Sequence, residues 1–125
     1  MMAPRKNIVL CGFMGSGKST VGKLLSRRLN MEFIDMDDYI EQQQGMEIRE
    51  IFASMGEAAF RRMETEAAEK LSATGGHVIA AGGGTLLSTQ NVEILPRNGI
   101  IVLLDAPLHA LQQRLEGGRT PPLLP

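Results

Sequence analysis

Gly-Phe-Met-Gly-Ser-Gly-Lys-Ser, at residues 12–19, has the complete Gly-x4-Gly-Lys-Ser spacing of a phosphate-binding loop, or P-loop. The preceding residues, Asn7 to Cys11, are apolar and β-branched enough to predict a buried strand. The following residues, Lys18 to Leu29, place apolar side chains at helical spacing. A strand, this loop and a helix in that order are the context in which the motif binds phosphate. A glycine-rich turn that matches by chance is the alternative.

Each part of the loop has a physical task. Glycines let successive backbone N–H groups point at phosphate oxygens, and the start of the helix adds its positive dipole end. Lys18 can reach the β- and γ-phosphates as a point charge, and the Ser19 hydroxyl can ligate Mg²⁺. The predicted nucleotide-binding residues here are Gly15, Ser16, Gly17, Lys18, Ser19 and Thr20. The sequence therefore predicts a phosphotransferase that binds ATP with Mg²⁺.

The rest of the chain alternates short β-like runs with longer helical ones, which predicts an α/β fold with a parallel sheet. Further strands are predicted at 32–35, 77–81 and 100–104. Further helices are predicted at 39–44, 47–54, 57–72, 89–95 and 107–116, with Asp38 capping the first of these. The glycine- and proline-containing tail, 117–125, is expected to be a loop.

Composition narrows the range of functions. The chain has 125 residues, enough for one domain (1–125), and 43% hydrophobic residues, enough for a real core. A net charge of −1 and 4% aromatic residues do not favour a nucleic-acid or membrane partner. The single cysteine, Cys11, is expected to be a buried thiol, and no apolar run has the length of a signal or a membrane span. We expect a cytoplasmic monomer.

Two aspartates follow the second predicted strand. Asp35 and Asp37 are two positions apart at the end of that strand, so both side chains can face the same side. Ligands of α/β proteins bind at the carboxyl ends of the strands. One carboxylate there can hold a magnesium-bound water, and another can accept a hydroxyl hydrogen from a substrate. The alternative is that these aspartates only cap helices.

Arg61, Glu64 and a glycine run are the other candidates. Arg61 and Glu64 are three apart on one predicted helix and can pair, and on the residues alone a surface salt bridge is the favoured interpretation. Gly82, Gly83 and Gly84 follow the third strand and would let the backbone approach a substrate closely. A flexible turn is the alternative for these glycines. Phe52 and Phe60 are expected to form core or pocket wall.

These motifs together resemble the shikimate kinase family, a nucleoside monophosphate kinase-like branch of the P-loop fold. The matching stretches are the P-loop, residues 35–37, residues 56–64 and residues 82–84, in the family's order and at its separations. The resemblance implies transfer of the γ-phosphoryl group of ATP to the 3-hydroxyl of shikimate, in aromatic amino acid biosynthesis. It implies the strand order 2-3-1-4-5.

The resemblance also implies roles for individual residues. Lys18 would be catalytic, and Asp37 would bind the shikimate hydroxyls and act as the base. Asp35 would assist the metal together with Ser19. Arg61 would bind the shikimate carboxylate, held by its acidic partner, and Gly82, Gly83 and Gly84 would face shikimate.

The end of the sequence departs from the family pattern. The family's lid reads Arg-Pro-Leu-Leu, but here Pro121 takes the place of the arginine, and Arg119 lies two residues earlier. Arg114 falls where the family stacks an arginine on adenine, and an exposed helix charge is an equal alternative. We expect Arg114 and Arg119 to contact the nucleotide.

Family members continue past the lid to a helix, a final strand and a last helix, and these supply a second arginine for the carboxylate and part of the adenine pocket. The expected order here is therefore 2-3-1-4, with an apolar edge exposed at residues 100–104. We expect this form to bind nucleotide weakly and to turn over poorly or not at all. Two alternatives remain open: a gluconate kinase-like enzyme, and a nucleotide-binding module without activity.

Overall fold

A four-stranded parallel sheet organises the protein. The computed structural model describes residues 6–12, 17–82 and 84–104, apart from the side chain of residue 86. The strands are β1 (Asn7–Gly12), β2 (Glu32–Asp35), β3 (His77–Ala80) and β4 (Gly99–Leu104). They lie in the order β2-β3-β1-β4 with parallel pairing throughout. The predicted fold class and strand order are therefore confirmed.

Helices cover both faces of the sheet. They are α1 (Lys18–Leu29), α2 (Met36–Gln44), α3 (Ile48–Met55), α4 (Glu57–Ala73) and α5 (Thr89–Ile94), with 3₁₀ turns at Thr85–Leu87 and Leu95–Asn98. Side chains of β1 alternate between the two faces because strand residues point to opposite sides. Val9 and Cys11 pack with α2–α5, and Leu10 packs with Val21 of α1. The result is a three-layer α/β/α arrangement.

The start of α2 differs from the prediction. The helix begins at Met36 rather than Tyr39, because Asp35 rather than Asp38 is its N-cap. The Asp35 carboxylate accepts a hydrogen bond from the backbone N–H of Asp38 at 3.1 Å. This bond satisfies one of the free N–H groups in the first turn of the helix. Asp37 therefore lies on the first turn of α2 and not on an extension of β2.

Asn7 joins three elements at the amino end of the sheet. Its side chain is 1% exposed. Its Nδ2 donates to the carbonyls of Leu71 and Thr74 at 2.9 and 3.0 Å, and its Oδ1 accepts from the N–H of His77 at 3.0 Å. These bonds tie the start of β1 to the end of α4 and the start of β3.

β4 is the edge strand next to β1 within the described part of the chain, as predicted. Its Ile100 and Leu103 side chains are 58% and 50% exposed. The predicted helix at 107–116 and the predicted loop at 117–125 lie outside the described residues. No helix between residues 6 and 104, the two short gaps aside, is both long enough and apolar enough to cross a bilayer.

Candidate active site

The phosphate end of the site lies where α1 begins. Gly17 precedes the helix with φ 80° and ψ 32°, a left-handed conformation that glycine adopts without strain. Lys18 is the first residue of α1, and its Nζ donates to the carbonyl of Ala81 at 2.9 Å, at the end of β3. Thr20 lies on the same first turn. Gly15 and Ser16 lie outside the described residues, so their phosphate contacts remain predictions.

Asp35 links this turn to the start of α2. Its Oδ1 caps α2, as described above, and its Oδ2 accepts a hydrogen bond from the Ser19 hydroxyl at 3.3 Å. The two side chains predicted to serve Mg²⁺ therefore meet. Capping and metal assistance are not exclusive alternatives, because each uses a different oxygen of Asp35.

The chemistry of this pair fits magnesium. Residues 6–12, 17–82 and 84–104 contain no group of three or more His, Cys, Asp or Glu side chains arranged to hold a metal ion. Mg²⁺ does not need such a cage, since it keeps several waters and takes one or two protein oxygens plus substrate phosphates. Ser19 and Asp35 offer that limited set of oxygens.

Asp37 occupies the centre of the site. Partial burial raises the pKa of its carboxyl group above the usual value, and the nearby carboxylates of Asp35 and Glu64 raise the pKa further. Lys18 opposes this increase. A carboxyl group with a raised pKa beside a lysine is typical of a site that handles protons. Asp35 also lies close enough to Asp37 to act on its pKa, because α2 begins directly after β2.

Arg61 points from α4 toward the same region. Its Nη1 donates to Glu64 Oε1 at 2.8 Å, and its Nη2 lies 3.5 Å from Glu57 Oε1. The hydrogen bond to Glu64 is the main cause that raises the pKa of the arginine, which therefore stays protonated. The two side chains differ sharply in exposure, at 38% for Arg61 and 1% for Glu64. The pair is therefore not the surface salt bridge that the residues alone favoured.

The glycines after β3 make room for these side chains. A β-carbon on Gly82 would lie 2.8 Å from Oδ1 of Asp37. A β-carbon on Gly84 would lie 2.7 Å from Nη1 of Arg61. Both contacts are shorter than side-chain carbons tolerate, so the absence of side chains here lets the charged groups approach the backbone. Gly83 lies outside the described residues.

Two aromatic side chains flank the arginine. Phe60 is 5% exposed and belongs to the core, whereas Phe52 is 39% exposed. Their ring centroids are 4.9 Å apart, and the Arg61 guanidinium carbon lies 5.4 Å from the centre of the Phe60 ring. The structure thus distinguishes the two side chains: Phe60 belongs to the core, whereas Phe52 is exposed and packs on Phe60.

Thr85 and Asn91 were missed by the sequence reasoning. Thr85 donates its hydroxyl hydrogen to Glu64 Oε2 at 3.0 Å, and Asn91 Nδ2 donates to the Thr85 carbonyl at 2.9 Å. Both residues are fully buried. Thr85 and Glu64 are 21 positions apart, so no local spacing joins them. The only available signal was a polar residue directly after the glycine run.

The structure thus brings together Lys18, Ser19, Asp35, Asp37, Arg61, Gly82 and Gly84 at the carboxyl ends of the strands. Arg114 and Arg119 lie outside the described residues. Cys11 is a buried free thiol, as expected. His77 lies at the opposite end of β3, and His109 is outside the described residues.

Comparison with curated proteins identifies the relatives of the chain. The chain is 48% identical over 119 residues to the shikimate kinase of Geobacter sulfurreducens, covering 95% of this chain and 66% of that protein. It is 44% identical over 119 residues to the shikimate kinase of a Sulfurihydrogenibium species, covering 95% of this chain and 72% of that protein. The chain therefore spans about two thirds of the length of these relatives.

Solved structures give the same result. The structure of shikimate kinase from Acinetobacter baumannii in complex with shikimate has a TM-score of 0.78 and 41% identity, covering 88% of this chain and 62% of that one. A gluconokinase from Sinorhizobium meliloti, with a TM-score of 0.52 and 19% identity over 96% of this chain and 69% of that one, shares the fold alone. The family model for shikimate kinase matches residues 14–125. The chain belongs to the shikimate kinase family.

Proposed function

We propose that the protein transfers the γ-phosphoryl group of ATP to the 3-hydroxyl of shikimate. The observation that carries this proposal is that a partly exposed Arg61, backed by buried Glu64, and Asp37 both approach the glycine turn after β3, at Gly84 and Gly82 respectively. A planar guanidinium recognises a carboxylate through two parallel hydrogen bonds. A carboxylate next to it can accept a hydroxyl hydrogen. This combination suits a small hydroxylated carboxylic acid.

The acceptor half of the reaction follows from these groups. Arg61 holds the carboxylate of the substrate and fixes its orientation. Asp37 accepts a hydrogen bond from the 3-hydroxyl and aims its oxygen at the γ-phosphorus. As the new oxygen–phosphorus bond forms and the bond to the bridging oxygen of ADP breaks, the hydroxyl proton passes to Asp37.

The phosphate half depends on α1 and the P-loop. Lys18 leaves the Ala81 carbonyl, its partner in this structure, to neutralise charge on the transferring phosphoryl group. Ser19 and Asp35 would hold Mg²⁺, directly or through water, and the ion would neutralise charge on the β- and γ-phosphates. We assign Gly15, Ser16, Gly17 and Thr20 to the phosphates, Gly82, Gly83 and Gly84 to shikimate, and Arg114 and Arg119 to the nucleotide.

We further propose that the protein acts as a monomer in the cytoplasm, with no nucleic-acid or membrane partner. Its net charge of −1 supports the part of this proposal that concerns partners, because it provides no field that would attract polyanions or anionic lipids.

A coupled ADP-release assay tests the activity. We expect slow ATP-dependent turnover with shikimate in this 125-residue form, and none above background with gluconate or a nucleoside monophosphate. Arg61→Ala should raise the KM for shikimate about 100-fold and leave the KM for ATP within about threefold. Turnover with gluconate or a nucleoside monophosphate, but not with shikimate, would contradict the substrate assignment.

Calorimetry separates the remaining alternative. A protein that binds ATP or ADP, binds no shikimate and shows no turnover would be a nucleotide-binding module instead of an enzyme. Magnesium is tested in the same assay, since omission of Mg²⁺ with added chelator should abolish turnover, and its return should restore it.

A further inference from the structure

A buried chain of hydrogen bonds ends on Arg61. It begins at Asn91 on α5, whose Nδ2 donates to the Thr85 carbonyl at 2.9 Å. The Thr85 hydroxyl then donates to Glu64 Oε2 at 3.0 Å, and Glu64 Oε1 accepts from Arg61 Nη1 at 2.8 Å. The chain thus crosses from α5 through the 3₁₀ turn after β3 to α4.

The position of the Glu64 carboxylate depends on this chain. Glu64 is 1% exposed, so water does not fix its orientation. A carboxylate with one bonded oxygen can rotate about its last torsion, since that torsion is broad. Here one oxygen bonds Arg61 and the other bonds Thr85, so both oxygens are fixed. The Thr85 hydroxyl therefore fixes the torsion of the Glu64 carboxylate and, with it, the place of the Arg61 guanidinium.

The same hydroxyl lies close to two acidic groups at Gly82. A β-carbon on Gly82 would lie 2.8 Å from Asp37 Oδ1, 3.1 Å from Thr85 Oγ1 and 3.4 Å from Glu64 Oε2, so all three oxygens surround one point. The hydrogen bond from Thr85 engages Glu64 Oε2, one of these three oxygens. A change at Thr85 should therefore act on the Glu64 carboxylate and, through it, on Arg61.

The buried Asn91 side chain satisfies little of its own hydrogen-bonding capacity, which is unusual for a residue that only stabilises the fold. It is fully buried, but within the described part of the chain its Oδ1 has no hydrogen-bond partner. A buried acceptor without a partner costs folding free energy. Among the described residues, the Asn91 side chain makes the bond to the Thr85 carbonyl in return. That bond fixes the turn that presents the Thr85 hydroxyl to Glu64.

We propose that Thr85 and Asn91 are positioning residues that hold Arg61 in the geometry needed for the substrate carboxylate. The proposal rests on the proposed function, in which Arg61 binds that carboxylate. It adds that affinity for the acceptor is set by a buried hydroxyl that never touches the substrate.

Steady-state kinetics of three threonine variants test this proposal. Thr85→Val keeps the shape and removes the hydroxyl, and it should raise the KM for shikimate about tenfold while the KM for ATP stays within about twofold. Thr85→Ser restores the hydroxyl and should restore the KM. Thr65→Val is the matched control, since the Thr65 hydroxyl only bonds the Arg61 carbonyl within α4, and its kinetics should equal wild type.

Coupling between the two residues is tested by a double-mutant cycle. Asn91→Ala should raise the KM for shikimate about threefold alone and add little in the Thr85→Val background, because both changes interrupt one chain. Additive effects would show that Asn91 does not act through Thr85. Thermal unfolding of each variant identifies losses that come from folding instead.

A readout without turnover keeps this inference separate from the proposed function. In ¹⁵N NMR spectra, the guanidinium resonances of Arg61, assigned by their loss in Arg61→Lys, should shift in Thr85→Val and return in Thr85→Ser. Unchanged resonances, or a Thr85→Val protein with the wild-type KM for shikimate, would overturn the inference. A wild-type protein without shikimate turnover would instead overturn the proposed function, and the NMR result would still decide whether Thr85 positions Arg61.

Discussion

Two asparagines are almost completely buried in this protein, and they are used in different ways. Asn7, at the amino end of the sheet, makes three hydrogen bonds to backbone groups of two other elements. Asn91, beyond the carboxyl end of β3, makes one bond to the Thr85 carbonyl and leaves its Oδ1 without a partner among the described residues. The first arrangement stabilises the fold. The second fixes a turn at the candidate active site.

The carboxyl end of the sheet also carries unfavourable charge interactions. The carboxyl end of the sheet gathers three carboxylates, Asp35, Asp37 and Glu64, whose mutual repulsion contributes to the raised pKa of Asp37. Lys18 offsets this repulsion only in part. Such a cluster lowers stability, and it is expected where function has priority over stability. The two regions should therefore respond in opposite ways to substitution.

The largest expected effect is on activity at the carboxyl end. Asp37→Asn removes the acceptor of the hydroxyl proton, so kcat should fall about 10³-fold. The same change removes a charge that is unfavourable in this cluster, so the unfolding midpoint at pH 7 should equal or exceed that of wild type. The coupled ADP-release assay measures kcat, and thermal unfolding measures the midpoint.

Asp38→Asn is the matched control for this change. Asp38 is the next residue on α2, and its side chain is exposed. Its contribution to the helix cap comes from the backbone N–H, which the substitution preserves. We expect kcat within about threefold of wild type. A large loss in Asp38→Asn would mean that charge on this turn, rather than the position of Asp37, carries the effect.

The amino end should show the reverse behaviour. Asn7→Ala removes three hydrogen bonds and leaves buried backbone groups without partners, so the free energy of unfolding should fall by about 3 kcal/mol. The KM for shikimate and kcat should not change at temperatures where the variant is folded. Urea unfolding and steady-state kinetics provide the comparison. If Asn7→Ala lost activity without losing stability, the proposed contrast between the two ends of the sheet would be wrong.

Most of the fold could be predicted because its signals are local. The P-loop spacing, the apolar strands and the helix on 18–29 fixed the fold class, and the strand order followed from the family resemblance. The start of α2 was wrong because two aspartates, Asp35 and Asp38, both suit a cap, and only the geometry after β2 selects Asp35. A cap shift of three residues moved Asp37 onto a helix without moving it out of the site.

The candidate site was predicted residue by residue only where a motif marked it. Asp37, Arg61 and the glycines stood in recognisable stretches. Thr85 and Asn91 did not, because their hydrogen bonds join residues that tertiary packing brings together. The burial of Glu64 was also hidden, since a three-residue spacing from an arginine on a helix is usually a surface pair. Burial is what turns that pair into a fixed support for Arg61.

A smaller effect is expected at the turn between these groups. Gly84 has φ −104°, which any residue adopts, so Gly84→Ala should not strain the backbone. The new methyl group would lie 2.7 Å from Nη1 of Arg61, so the guanidinium must move. We expect the KM for shikimate to rise about fivefold, with the KM for ATP and the unfolding midpoint unchanged. An equal rise in both KM values would indicate disruption of the whole site.

The smallest expected effect is a pH dependence that only the carboxyl end should show. Because the pKa of Asp37 is raised in the folded protein, the native state binds a proton more tightly than the unfolded state. The stability linked to this proton is fully present below the unfolded pKa of an aspartate, about 3.9, and is lost as pH rises through the folded value. As pH rises through this window, the unfolding midpoint of Asp37→Asn should therefore increase relative to that of wild type. Above the window the difference between the two midpoints should stay constant.

Partial exposure of Asp37 keeps this gain small, since solvent screens the group. As pH is lowered through the same window, kcat/KM for shikimate should decrease, because Asp37 must be ionised to act as the base. Lys18→Met sharpens the test. Lys18 lowers the pKa of Asp37 in the folded protein, so its removal should move the upper limit of the stability window to higher pH. Asn7→Ala should leave the window in place while lowering stability at every pH. If Asn7→Ala shifted the window and Lys18→Met did not, the pH-sensitive group would lie at the amino end of the sheet, and the assignment to Asp37 would be wrong.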